Sequence, residues 1–127
     1  MRCGNTRGSL LVPERVTIQE TILREVTSWP GVTTAPHRFG GVEFLLGRRE
    51  IGHLHGDRLA DLPFPRRVRD ELVEAGRAEA HHVLPETGWV SFRISGEADV
   101  PRVVELFRLG YERAAAQRER AAAEQAL

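Results

Sequence analysis

Two histidines, His53 and His55, stand two residues apart in the stretch E-I-G-H-L-H. Alternate residues of a β-strand point to the same side and lie roughly 6.5–7 Å apart, so both imidazoles can contact one ligand or one metal ion. Neutral imidazole also titrates near physiological pH, which suits a general base. The pair therefore indicates an acid–base site for a small molecule or a metal site, and hydrogen-bonded histidines with a structural role are the third interpretation.

A third group is needed to complete either kind of site. His81 or His37 can supply another imidazole, and Asp57 can supply a carboxylate. Glu50 and His53 are three residues apart, so on a regular strand their side chains point to opposite faces. No carboxylate is therefore clearly placed on the same face as the histidines. We therefore expect no metal ion and no other cofactor. We also expect burial to lower the pKa of His53, His55 and His81.

The elements that carry these residues follow from the spacing of apolar residues. The capping box T-I-Q-E predicts that a first helix begins at Thr17. Between residues 33 and 55 the period changes to two, which predicts three strands, at about 34–39, 42–46 and 51–55. A four-residue loop at 47–50 would place Phe44 opposite His53 and both histidines on the apolar face.

The second half of the chain predicts two more helices and a hairpin. Pro65 suits the first position of a helix that ends at Gly76, and the last helix starts near Val100. Between these helices we expect a hairpin with strands at about 79–84 and 89–94, in which Phe92 lies opposite His81. The order α-β-β-β-α-β-β-α predicts a single α+β domain, an antiparallel sheet of about five strands with helices packed on it.

Composition excludes several classes of function. The 18 basic residues, all arginine, balance 18 acidic residues, so we expect no nucleic-acid partner. The absence of lysine excludes Schiff-base chemistry, and the single Cys3 excludes a disulfide framework. No apolar run approaches the roughly 20 residues of a membrane span, so we expect a cytoplasmic protein. We assign residues 1–13 to a disordered tail, 14–116 to the domain, and 117–127 to a solvated helical tail.

Four stretches together resemble the luciferase-domain family, which is named for the fungal luciferases. They are H-R-F-G-G-V-E-F, R-E-I-G-H-L-H-G-D, L-P-F-P-R-R-V-R-D-E-L and G-R-A-E-A-H-H-V-L-P-E-T-G-W-V-S-F-R-I. The resemblance covers about residues 26–115. Its most specific element is the E-I-x-H-x-H strand, here Glu50, Ile51, His53 and His55, and a later family histidine best matches His81.

This resemblance implies a domain that binds a small planar or aromatic ligand and oxidises it. Fungal luciferases oxidise an electron-rich hydroxypyrone-type substrate with O₂, after a base removes an acidic hydroxyl proton. Carried over to this chain, His53 or His55 is the base of a cofactor-independent oxygenase. The implied ligand contacts are His81, His37, Phe44 and Phe92.

The hairpin and last helix also bear a fainter similarity to the MmcQ/YjbR-like proteins. Those proteins share an α+β layout and are associated with a double-wing DNA-binding fold. The alternative function is therefore a binding or interaction module without catalysis, with a protein or nucleic-acid partner. Affinity for DNA that falls steeply as salt rises would identify this class.

Overall fold

The computed structural model describes residues 16–126, which form an α+β domain with a six-stranded antiparallel sheet. The strands, in chain order, are β1 (Val32–His37), β2 (Gly41–Leu46), β3 (Arg49–His55), β4 (Leu59–Pro63), β5 (Glu79–Ala80) and β6 (Trp89–Arg93). Their order across the sheet is β1-β2-β3-β4-β6-β5. The tail assigned to residues 1–13 lies outside the described residues.

Three helices complete the fold: α1 (Ile18–Thr27), α2 (Arg66–Glu74) and α3 (Val100–Ala126). Helix α1 begins with the expected capping box, in which Thr17 and Glu20 bond each other's backbone N–H groups. The buried residues of α3 lie between Val103 and Ala114, and every residue from 117 to 126 is exposed. Within residues 16–126 no helix combines the length and apolar character that crossing a membrane needs.

One face of the sheet packs against α3. Phe107 contacts Phe44 with their ring centroids 5.0 Å apart, and both side chains are fully buried. A Cβ atom built on Gly52 would lie 2.9 Å from the Phe107 ring, so only glycine lets the helix come this close to β3. Leu54 and Leu62 are also fully buried in this core. We call this side of the sheet the core face.

The predicted register of the first hairpin is wrong. Leu46 pairs with Arg49, so the turn contains only two residues, Gly47 and Arg48. This turn shifts the pairing by two residues from the predicted register, and a β-bulge between Phe44 and Leu45 then shifts it back by one, which leaves a net shift of one residue. As a result His53 lies opposite Glu43, not Phe44, and it points away from the core face.

Two further elements differ from the sequence prediction. The sequence predicts no strand between residues 56 and 63, but this stretch includes strand β4, which pairs with β3 and β6. Strand β5 has only two residues, and Ala80 pairs with Val90. The predicted pairing of His81 with Phe92 is therefore wrong, because the backbone N–H of His81 donates to the carbonyl of Trp89 instead.

Candidate functional site

A buried carboxylate, Asp61, lies at the centre of the side of the sheet opposite the core face. Its Oδ2 atom lies 3.3 Å from Nε2 of His53, 3.2 Å from Nε2 of His55 and 3.6 Å from Nε2 of His81. Its other oxygen accepts a hydrogen bond of 2.6 Å from the hydroxyl of Ser91. Only 1% of the Asp61 side chain is exposed. We call this face, with its three converging imidazoles, the histidine face.

Alternation along the strands explains why these groups meet. His53 pairs with Asp61 across β3 and β4, and Asp61 pairs with Ser91 across β4 and β6. Paired residues of neighbouring strands project from the same side of a sheet. His81 joins them because it continues the ladder beyond β5, opposite Trp89.

The β-bulge brings a second carboxylate to His53. Oε2 of Glu50 lies 2.6 Å from Nδ1 of His53, a contact that a regular strand would not allow between residues three apart. The expectation that Glu50 cannot lie beside His53 is therefore wrong. Because an ionised carboxylate only accepts hydrogen bonds, this contact places a proton on Nδ1 of His53.

His81 has its proton on the other ring nitrogen from the one that is protonated in His53 through Glu50. Its Nδ1 accepts hydrogen bonds of 3.1 Å from the backbone N–H groups of Val83 and Leu84. In the neutral ring the proton therefore lies on Nε2, which faces Asp61. The Nε2 proton of His81 is thus directed toward the carboxylate at 3.6 Å, while Nδ1 holds the loop that follows β5.

His37 extends the cluster at the end of β1. Its ring stacks on that of His53, with centroids 3.9 Å apart, and its Nδ1 lies 3.0 Å from Oε1 of Glu43. One ring nitrogen from each of His37, His53 and His55 lies within 4.8 Å of the others. Asp57, the carboxylate considered from the sequence, instead accepts a hydrogen bond from the backbone of Gln19 and lies outside the cluster.

An open cavity of about 350 Å³ lies above these groups. The clustered histidines and Asp61 form its polar part, and its apolar lining includes Phe39, Trp89, Val83 and Leu84. Phe39 is 95% exposed and has a φ of 57°, the left-handed conformation that an aromatic residue rarely adopts. Backbone strain of this kind is often found at binding sites.

Phe44 and Phe92, which the sequence placed as walls of the site, lie elsewhere. Phe44 is fully buried against Phe107 in the core. Phe92 pairs with Ala60 and packs against the same core. Both assignments depended on the incorrect registers, which exchange the two faces of a strand when they slip by one residue.

The carboxylates and imidazoles shift one another's pKa. Burial opposes the charged form of His53, but hydrogen bonds to Asp61 and Glu50 and their charges raise its pKa to about 9. Burial likewise opposes the charged form of Asp61, whereas hydrogen bonds with His53 and Ser91 lower its pKa to about 2. Burial lowers the pKa of both His55 and His81. The expected lowering is correct for these two and wrong for His53, because two carboxylates flank that ring.

A family model matches the segment that contains most of this cluster. Residues 48–110 match the family model described as the luciferase domain. The chain belongs to the luciferase-domain family. The matched segment covers about half of the chain and includes His53, His55, Asp61 and His81, whereas His37 and Phe39 precede it. No curated protein and no solved structure matches the chain.

Sequence reasoning missed Asp61, the residue that organises the cluster. Asp61 occurs in L-A-D-L-P, where a single charged residue interrupts a short apolar run. A buried strand with one carboxylate requires partners for that charge, and nearby histidines are suitable ones. This pattern was the available signal, but no strand was predicted for the stretch.

Proposed function

We propose that this luciferase domain binds a small planar ligand with an ionisable hydroxyl group and oxidises it with O₂. The observation that carries the proposal is the buried carboxylate of Asp61, around which three imidazole Nε2 atoms converge at the base of an open cavity. Burying a charge requires compensating partners, and ionisable groups with shifted pKa values that line a cleft are candidates for a functional site. The luciferase-domain match supports an oxidative reaction.

The shape of the cavity supports a ligand with one flat apolar end and one polar end. Phe39, Val83 and Leu84 belong to the apolar lining of the cavity. Trp89 lies near the histidines, with its ring 5.5 Å from that of His53. A planar ring would contact these apolar side chains while its hydroxyl group faces the histidines.

We assign His53 and His55 as the catalytic pair. His55 is the more accessible of the two, since 31% of its side chain is exposed compared with 8% for His53. His55 would therefore contact the hydroxyl group of the ligand. His53, which contacts both Glu50 and Asp61, would balance the negative charge of these two carboxylates. His81 and His37 flank the pair and would orient the ligand.

Two hydroxypyrones test the binding step. Hydroxycoumarin carries a fused benzene ring, and triacetic acid lactone is its single-ring analogue. We expect calorimetry to show binding of both by the wild-type protein, with hydroxycoumarin tighter. Replacing His53 and His55 together by Ala should weaken binding at least about tenfold, the loss of roughly one charged hydrogen bond. An oxygen electrode then tests whether bound hydroxypyrone consumes O₂.

The control is Glu74→Gln, since Glu74 is an exposed residue of α2 that does not line the cavity. It should bind both compounds like the wild type. The proposal fails if neither hydroxypyrone binds, or if the double variant keeps its fold by circular dichroism and binds as tightly as the wild type.

A further inference from the structure

The arrangement of ligand atoms around Asp61 has the dimensions of a metal site. Two atoms that each lie about 2.1 Å from one ion are about 3.0–3.4 Å apart at octahedral to tetrahedral angles. The separations of Oδ2 of Asp61 from Nε2 of His53 and His55 are 3.3 and 3.2 Å. The reason for expecting no metal was the lack of a carboxylate on the histidine face, and Asp61 supplies one.

We infer that His53, His55 and Asp61 hold one divalent first-row transition-metal ion, through two Nε2 atoms and one carboxylate oxygen. This inference rests on the proposed function and deepens it by naming the cofactor of the same cavity. Two imidazoles and one carboxylate that leave open positions suit iron(II), and zinc, manganese or cobalt accept the same donors. The open positions would face the cavity, where the ligand's hydroxyl oxygen could occupy one.

The hydrogen bonds behind the rings support this set of ligands. Glu50 accepts the Nδ1 proton of His53, so an ion that displaces the Nε2 proton would be bound by a lone pair directed toward Asp61. A carboxylate that orients a ligating histidine in this way is the usual outer partner in protein metal sites. His81 is excluded by the same reasoning, because its Nδ1 is already an acceptor and its Nε2 carries the proton. Its role is to hold Asp61.

The charge of the cluster also favours a cation. Three carboxylates, Glu43, Glu50 and Asp61, contact the histidine rings. Neutral imidazoles, the form in which histidine binds metals, would leave these negative charges without compensation inside the cluster. A divalent ion would balance most of this charge. With the ion bound, His53 and His55 act on the ligand through the ion and not as free bases.

The test is a cobalt(II) titration of untagged protein that has been stripped with chelator. Cobalt bound by imidazole and carboxylate absorbs visible light, so the titration reports both stoichiometry and ligand type. We expect one ion per chain. His55→Ala and Asp61→Asn should weaken binding by more than about 100-fold, and Glu50→Gln, an outer partner, by roughly 10–100-fold. Elemental analysis of the protein as purified should find close to one ion of iron, manganese or zinc.

Two control variants separate the ligands from their neighbours. Glu74→Gln, on the exposed side of α2 and outside the cavity, should bind cobalt like the wild type, and His81→Gln should weaken binding no more than Glu50→Gln does. The inference fails if cobalt does not bind in a ratio of one to one, or if His55→Ala binds as tightly as the wild type. His55 is partly exposed, so this variant should fold, and circular dichroism checks that it does. A His81→Gln variant that loses binding as completely as His55→Ala would overturn the assigned ligand set.

Hydroxycoumarin binding, measured with and without metal, distinguishes this inference from the proposed function. If stripped protein binds hydroxycoumarin fully and takes up no cobalt, the metal inference is wrong and the proposed function stands. If one cobalt binds but neither hydroxypyrone does, the metal site stands and the proposed ligand class is wrong.

Discussion

One face of the sheet is apolar and covered by α3, whereas the opposite face carries the buried polar residues His53, Asp61 and Ser91. The same strands supply both, because successive side chains point to opposite sides. On the core face burial itself is favourable. On the histidine face each buried polar group must be compensated by a neighbour. Stability therefore depends mainly on the core face, and the proposed chemistry depends on the histidine face. Mutations on the core face should lower stability, whereas mutations on the histidine face should mainly change ligand binding.

The largest effect should come from removing an aromatic ring from the core face. Phe107→Ala leaves a cavity beside Phe44 and Gly52, and we expect it to lower the free energy of unfolding by about 3–5 kcal/mol. Urea titration followed by circular dichroism measures the loss. The fraction that remains folded should still bind hydroxycoumarin as the wild type does. A stable Phe107→Ala variant with impaired ligand binding would contradict the division between the faces.

A smaller loss of stability is expected from the centre of the histidine face. Asp61→Asn keeps the shape of the side chain but removes the charge that three imidazoles contact, which should lower the free energy of unfolding by about 1–3 kcal/mol. The pKa of His53 should fall as well, because a hydrogen bond to Asp61 helps to raise it. NMR titration of the His53 ring in the presence of chelator measures this shift. An unchanged pKa would show that Glu50 alone holds the proton on His53.

Much of the fold could be predicted because its signals are local. The capping box at Thr17 and the alternation through His53 and His55 depend only on neighbouring residues. The fact that both histidines share a face also follows from alternation, whatever the register. Which face they share depends on the β-bulge, because the two-residue turn at Gly47 shifts the pairing by an even number of residues, whereas the bulge shifts it by one.

The candidate site could be predicted only in part, because it depends on contacts between distant strands. Asp61 meets His53 through the pairing of β3 with β4, and no periodicity reveals that pairing in advance. Glu50 reaches His53 only because a bulge interrupts the strand. A bulge inserts one residue and so reverses the parity on which a strand prediction depends.

At the rim of the histidine face we expect stability and ligand affinity to move in opposite directions. Phe39→Asn replaces an exposed aromatic residue in the left-handed conformation by one that tolerates it, so the free energy of unfolding should rise by about 1 kcal/mol. Binding of hydroxycoumarin should weaken roughly five- to tenfold through loss of ring contact. Binding of triacetic acid lactone should change less. If the variant binds hydroxycoumarin with unchanged affinity, Phe39 is not a ligand contact.

A dependence of stability on pH should come from the histidine face. The folded state holds a proton on His53 up to a pKa of about 9, compared with 6.5 for an ordinary histidine. This group therefore stabilises the fold fully below pH 6.5, and its contribution is lost as the pH rises to 9. The lowered pKa values of His55 and His81 act in the opposite sense, so their contribution is lost as the pH falls below 6.5.

Stability of the chelator-treated protein should therefore be greatest near pH 6.5, and urea titrations at several pH values measure it. Glu50→Gln is the matched variant, because it removes one of the two carboxylates that hold the proton on His53 while keeping the shape of the side chain. The loss of stability between pH 6.5 and 9 should be smaller in this variant than in the wild type. If the stability of the wild-type protein stays constant or increases over that interval, His53 is not held in its charged form. The contact with Glu50 that the bulge creates would then not raise the pKa of His53.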